Sequence, residues 1–186
     1  MEYKYNSVKA AIKLVEGWYK PSSYKDFDPE CWNNREFVET VIAKSYKGGY
    51  AIEYASDEIK KDKEIVLLAL KKNWQAYKLV DPSMLSDKDI LMFMALNDHL
   101  KYMENVDKQI QIALLKDNPK CLIGLDDDIK NNRELVLEAV KQDASVYKFA
   151  GEDLRNDKEL AMLAVQKNCD MFKYVSEDLK NDRELA

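Results

Sequence analysis

A chain of 186 residues that is 46% hydrophobic and 34% charged, with only 5 glycines and 4 prolines, sits at the helix-rich end of globular composition and far from a disordered or collagen-like one. Its 29 basic and 34 acidic side chains leave a formal charge of -5, so the mean field repels phosphate backbones and anionic bilayers, which disfavours nucleic acid as a general partner while leaving room for a local basic stripe. The longest apolar run is the seven residues Ile90 to Leu96, and the start, MEYKYNSVKAAIKL, is broken by charges. Neither a membrane span nor a signal peptide is expected, and three cysteines without a CxxC pair fit reduced thiols in the cytoplasm.

In chain order, Ser7 to Tyr19 reads as an amphipathic helix through Val8, Ala11, Ile12 and Val15, ending before Pro21. Asp28-Pro29-Glu30 then reads as a cap followed by proline in the first turn of a short helix, with Trp32 at the junction. Residues 1–32 are expected to form an N-terminal helical cap on the rest of the chain.

From Asn33 onward the chain repeats itself. NNRELVLEAVKQDASVYKFAGEDLR begins at Asn131, NDKELAMLAVQKNCDMFKYVSEDLK at Asn156 and NDRELA at Asn181, each start 25 residues after the last. Earlier repeats begin near residues 33, 61, 86 and 106; the one from Ser86 is five residues shorter than the standard, and the one from Asn33 is three residues longer and carries Gly48 and Gly49 in its insertion. A period of this size signals stacked elements rather than one closed core. The array spans 33–186 and stops at Ala186 inside a helix that has only begun, from which a longer parent chain or a trimmed end is expected.

Within a repeat, the fifth, sixth, ninth and tenth places are apolar, as in Leu135, Val136, Ala139 and Val140, which is one stripe of an amphipathic helix. Asn131-x-x-Glu134 and Asn156-x-x-Glu159 mark its start as a capping box, with Asp157 or Asp182 as the competing cap. The thirteenth place, Asn73, Asp98, Asn118, Asp143 or Asn168, holds residue types that accept the left-handed conformation closing a helix. Tyr147, Ala150 and Leu154 then form the stripe of a second helix. Arms of roughly two turns are too short to stand alone, so the expected fold is all-α, an α-solenoid of stacked short helical hairpins with a 25-residue repeat.

NDRELVLEAVKQ-like first helices, an aromatic-rich second arm and SEDLK resemble the uncharacterised helical repeats catalogued as domain of unknown function 4116. The resemblance is closest over 131–186, weaker over 86–130 and absent over 1–32. It implies a helical repeat found in microbial proteins, with no assigned catalytic residues.

No constellation in the sequence calls for catalysis, a metal or a cofactor. His99 falls at the bend between arms, where other repeats have Trp74, Pro119, Ala144 and Cys169, and reads as a loop residue. Cys31, Cys121 and Cys169 share no repeat position and read as small buried hydrophobes; an enzyme would need one of them beside His99. Asp126, Asp127 and Asp128 align with Gly151-Glu152-Asp153 and Ser176-Glu177-Asp178, a turn and helix start without the alternating ligands of a calcium loop. The third place is always basic, from Arg35 and Lys63 through Arg133 to Arg183, a stripe that would either grip phosphates or an acidic peptide or be neutralised by neighbouring acids. The tyrosines and phenylalanines of the second arms read as core. Breaks in the register carry the functional expectation: Met92, Phe93 and Met94 in the short repeat, and Gly48, Gly49 and Tyr50 in the long one, as contact residues for another protein, with a packing role for Met92, Phe93 and Met94 weighed equally. The expected function is a non-catalytic protein–protein interaction scaffold. The alternative is an acidic inhibitor that mimics nucleic acid and binds a basic enzyme.

Overall fold

The computed structural model describes residues 7–16, 24–45, 48–103 and 106–182. They contain α1 (Val8–Glu16), α2 (Arg35–Lys44), α3 (Lys63–Lys72), α4 (Lys88–Leu96), α5 (Lys108–Asp117), α6 (Asp127–Lys130), α7 (Arg133–Gln142), α8 (Glu152–Arg155), α9 (Lys158–Lys167) and α10 (Glu177–Lys180), with 3₁₀ helices between them and no strand among the described residues. The chain is an all-α repeat protein of the solenoid class. It divides into two bodies, Met1–Ile90 and Leu91–Ala186.

The first arm of each repeat is the expected helix. Its buried face is Phe37, Val38, Val41 and Ile42 in α2, Ile65, Val66, Ala69 and Leu70 in α3, and Val136, Ala139 and Val140 in α7. Its cap lies one residue later than the capping box predicts. The second place accepts the amide bonds: Asn34 from Phe37, Asp62 from Glu64 and Ile65, Asp107 from Gln109 and Ile110, Asn132 from Leu135, and Asp157 from Leu160. Asn131 and Asn156 instead close the short helices α6 and α8 before them.

The thirteenth place also differs from expectation. Only Asp98 is left-handed, at φ 59°. Asn73, Asn118, Asp143 and Asn168 are extended, with φ between -154° and -141°. Each ends the first helix through its own N–H and starts the next element through its side chain, accepting from Gln75, Lys120, Ser145 and Asp170 at 2.9–3.1 Å, which is an Asx turn.

The second arm is not a two-turn α-helix. It is a 3₁₀ helix, Ala144–Phe149 or Cys169–Tyr174, then two residues with ψ near 150°, then a one-turn helix such as α8 or α10. The spacing misled because a 3₁₀ helix repeats every three residues. Ala144, Tyr147 and Ala150 lie on one line and are buried, and Leu154 joins them from α8. Tyr147 is fully buried, and its hydroxyl donates to the Arg155 carbonyl at 2.9 Å. Consecutive repeats are tied by backbone bonds between these one-turn segments: Gly151 N–H to Lys130 C=O at 2.9 Å and Ser176 N–H to Arg155 C=O at 3.2 Å.

At the N-terminal end, α1 buries Ala11 and Val15 and packs on α2; its expected continuation to Tyr19 and Pro21 lies outside the described residues. Asp28 caps the short helix Pro29–Asn33, and Phe27, Trp32 and Phe37 meet edge to face with ring centroids 5.0–6.2 Å apart. The glycine insertion is packing rather than surface. Gly48 and Gly49 are buried, and a Cβ on Gly48 would stand 2.0 Å from the Ile42 carbonyl oxygen.

Candidate interaction surface

The basic third place sits at the N-terminal edge of each first helix and reaches the cap of the next. Arg35 pairs with Asp62 at 2.8 Å and with Glu64, and Lys63 pairs with Asp87 at 3.3 Å and with Asp89. In the other body Arg133 pairs with Asp157 at 2.7 Å and with Glu159, and Lys158 with Asp182 at 2.8 Å. Lys108 departs from the pattern and meets Asp128 of its own repeat at 3.0 Å. Partial desolvation pushes the Asp157 carboxyl up, but the Arg133 guanidinium and the Leu160 and Glu159 amides outweigh it and hold the group below its ordinary value; Asp62 is balanced the same way by Arg35. The neutralising ladder expected from the sequence is therefore in place along this edge. Its rungs are solvent-exposed, so each contributes little stability.

Opposite the buried stripe, the fourth, seventh, eighth and eleventh places form the outward face of the first helix. In the body Leu91–Ala186 that face carries Met92, Phe93, Ile112, Leu137, Met162 and Leu163, all half-buried. Among these first helices α5 packs on α7 and α7 on α9, and exposed Ala113 and Glu138 interrupt the apolar side chains. At the C-terminal edge exposed Lys116 and Lys141 hold the eleventh place, which is Gln166 in α9, and exposed Lys167 follows in the twelfth. In the body Met1–Ile90 a cleft on α2 and α3 is lined by Arg35, Glu39, Glu64, Ile65, Leu68 and Lys71.

Of the six residues singled out from the sequence, Met94 is wholly buried and fills the core below α4, and Gly48 and Gly49 are buried. A partner cannot reach these three. Tyr50 is half-buried, and its hydroxyl donates to Gln75 Oε1 at 2.6 Å. Met92 and Phe93 do belong to the outward face, and Met92 Sδ also receives the Cys121 thiol at 3.0 Å. Leu137, Met162 and Leu163 were not singled out from the sequence. Their signal was available, since the seventh place is apolar in every repeat except the first, where it is Glu39.

The reactive-looking residues are otherwise engaged. Cys31 and Cys121 are buried, and burial pushes the Cys121 thiol up to about 11 and raises that of Cys31 as well, so neither is an activated nucleophile at neutral pH. Cys169, expected to be buried, is exposed. His99 is half-buried at the start of the helix Leu100–Tyr102, in the bend where the register puts it. Asp127 and Asp128 occupy the first turn of α6 after Asp126. Among the described residues no group of three or more His, Cys, Asp or Glu side chains is placed to hold a metal, and no helix is long and apolar enough to cross a membrane.

One polar residue breaks the core pattern. Gln111, at a sixth place that is otherwise Val38, Val66, Leu91, Val136 or Ala161, is 2% exposed. Its Nε2 donates to Asp126 Oδ2 at 2.7 Å and to the Val106 carbonyl at 3.2 Å, and its Oε1 accepts from the Asp126 amide at 3.0 Å.

Four matches to one family model, described as domain of unknown function (DUF4116), cover residues 34–85, 62–100, 107–155 and 157–186. They begin at the cap residues Asn34, Asp62, Asp107 and Asp157. No curated protein and no solved structure matches the chain.

Proposed function

The chain belongs to the family described as domain of unknown function (DUF4116), and on that premise we propose that it is a non-catalytic protein–protein interaction scaffold. The observation that carries this reading is the outward face of the first helices in Leu91–Ala186. Side chains such as Leu137, Met162 and Leu163 are left half-buried where a purely structural repeat would place charge. The raised thiols of Cys31 and Cys121 argue against a cysteine enzyme. The test is capture from the host lysate by wild type, by Leu137→Glu/Met162→Glu and by Lys148→Glu on the second arm as control. Each captured protein is then purified and its affinity measured by calorimetry. Loss of at least about tenfold in the double variant alone supports the scaffold. Unchanged affinity, with the helical circular dichroism intact, removes this face from the function.

The nucleic-acid mimic has one feature in its favour, the exposed pairs Asp127-Asp128, Glu152-Asp153 and Glu177-Asp178 that open α6, α8 and α10. The same helices end on Lys130, Arg155 and Lys180, so this edge alternates in sign, which suits a mimic poorly. A mimic would bind a basic DNA-binding protein with a steep loss of affinity as salt rises. No binding at low salt removes that reading.

A further inference from the structure

The scaffold reading leaves the partner's chemistry open, and the outward face of Leu91–Ala186 constrains it. Resting on that reading, we propose that this face docks an amphipathic α-helix of another protein, bearing an apolar stripe and an acidic flank directed at Lys116, Lys141 and Lys167.

Three observations lead there. The face is two places wide, seventh and eighth, and carries Met92 and Phe93 on α4, Ile112 on α5, Leu137 on α7, and Met162 and Leu163 on α9. A stripe of that width matches the apolar face of a helix better than the single row of side chains an extended strand presents. Next, an extended peptide brings unpaired N–H and C=O groups that must be satisfied when water is excluded. The seventh and eighth places offer no amide and no hydroxyl in this body, only apolar side chains and Glu138. A helix needs none, because it satisfies its own backbone. Finally, the two edges are electrically unlike. At the N-terminal edge Arg133 and Lys158 are outnumbered by the carboxylates they pair with, Asp157, Glu159 and Asp182. At the C-terminal edge the lysines are only partly matched: Lys141 meets Glu138 at 2.6 Å, Lys167 donates to the Lys141 carbonyl, and Lys116 has no ion-pair partner among the described residues. The charge that complements the lysine edge of this face is therefore acidic and lies on one side.

The spacing adds a constraint. Packed helices stand about 8–10 Å apart, and seven residues of α-helix rise about 10 Å. A helix lying across the repeats therefore meets each new first helix with a residue seven further on. Crossing four of them takes about 20 residues.

The experiment is selection from a displayed library of peptides about 20 residues long, panned on the full chain and counter-selected on Leu137→Glu/Met162→Glu. A second variant, Lys116→Glu/Lys141→Glu/Lys167→Glu, leaves the apolar face intact. The expected pool has apolar residues recurring at about seven, glutamate or aspartate enriched on one flank, and induced helical circular dichroism on binding. Its affinity falls about tenfold or more in both variants. A pool of proline-rich or strand-forming peptides, a pool with basic flanks, binding insensitive to the lysine variant, or no enrichment at all overturns the proposal. If host proteins still depend on Leu137 and Met162 while the library yields none of the expected peptides, the scaffold stands and the helix does not.

Discussion

Gln111→Leu restores the apolar pattern of the sixth place, and on pattern alone it should stabilise the chain. The structure gives the opposite sign. Gln111 is 2% exposed and makes three hydrogen bonds, one of them to the Asp126 carboxylate. A bond to a charged partner contributes about 1.5–3 kcal/mol and the other two about 1 kcal/mol each, so about 4 kcal/mol is lost. Burying a leucine side chain returns about 2 kcal/mol. The net change is a destabilisation of about 2 kcal/mol, or a fall of about 4–8 °C in Tm for a chain of this size. Urea unfolding followed by circular dichroism measures it, and the same substitution in an Asp126→Ala background locates it. With the carboxylate and its bond already gone, the cost of Gln111→Leu should drop by at least about 1 kcal/mol. A Gln111→Leu protein as stable as the wild type, or a cost unchanged by Asp126→Ala, would refute the reasoning.

Other consequences are open to simpler measurements. Asp62, Asp87 and Asp157 have carboxyls lowered in the folded state; their contribution is present above the unfolded value of about 4 and is lost as pH falls through the folded one. Tm should therefore hold above about pH 5 and decline below about pH 4, and Asp157→Asn, which keeps a capping side chain, should flatten that decline. Gly124→Ala places a Cβ 2.2 Å from the Ala95 carbonyl oxygen and should cost about 1–3 kcal/mol or more. Gly151→Ala meets only the Asn131 side chain, which can turn away, and should change Tm little; equal effects in the two would contradict the packing described. In a thiol titration of the folded protein, exposed Cys169 should react at once while buried Cys31 and Cys121 wait for denaturant. Three equally fast thiols would be incompatible with this fold.

The first arm was legible because ten residues carry enough turns for a 3.6 period to show at Leu135, Val136, Ala139 and Val140. The capping box put the cap one residue early, and the competing cap, Asp157, is the one used, because Asn131-Asn132 and Asn156-Asp157 place two capping residue types side by side and only the structure tells which one is extended. At the thirteenth place, Asn and Asp suit both a left-handed stop and an Asx turn. Asn73, Asn118, Asp143 and Asn168 take the second, each meeting an amide in the first turn of the 3₁₀ helix that follows, and Asp98 takes the first. The second arm is too short for a sequence to separate a period of three from 3.6. On the outward face Phe93 was visible as an exception, whereas Leu137 and Met162 looked ordinary because their place is apolar in nearly every repeat. Gly48 and Gly49 read as contact residues at a break in the register, and a close approach to Ile42 and Ala69 keeps them inside.

The ladder and the outward face meet in one piece of geometry. Arg133 leaves the first turn of α7 and holds Asp157 and Glu159, the cap and first turn of α9. The same Asp157 carboxylate accepts the Leu160 amide, so the guanidinium grips the side chain that fixes where α9 starts. One turn further along each helix lie Leu137 and Met162. Their spacing follows from where the two helices begin, so the paired edge sets the separation of the apolar side chains beside it. A rung can thus add little to stability and still govern what the face fits. The energy of stacking comes from places such as Val136, Ala139 and Ala161, while its register is written in charge at the edge.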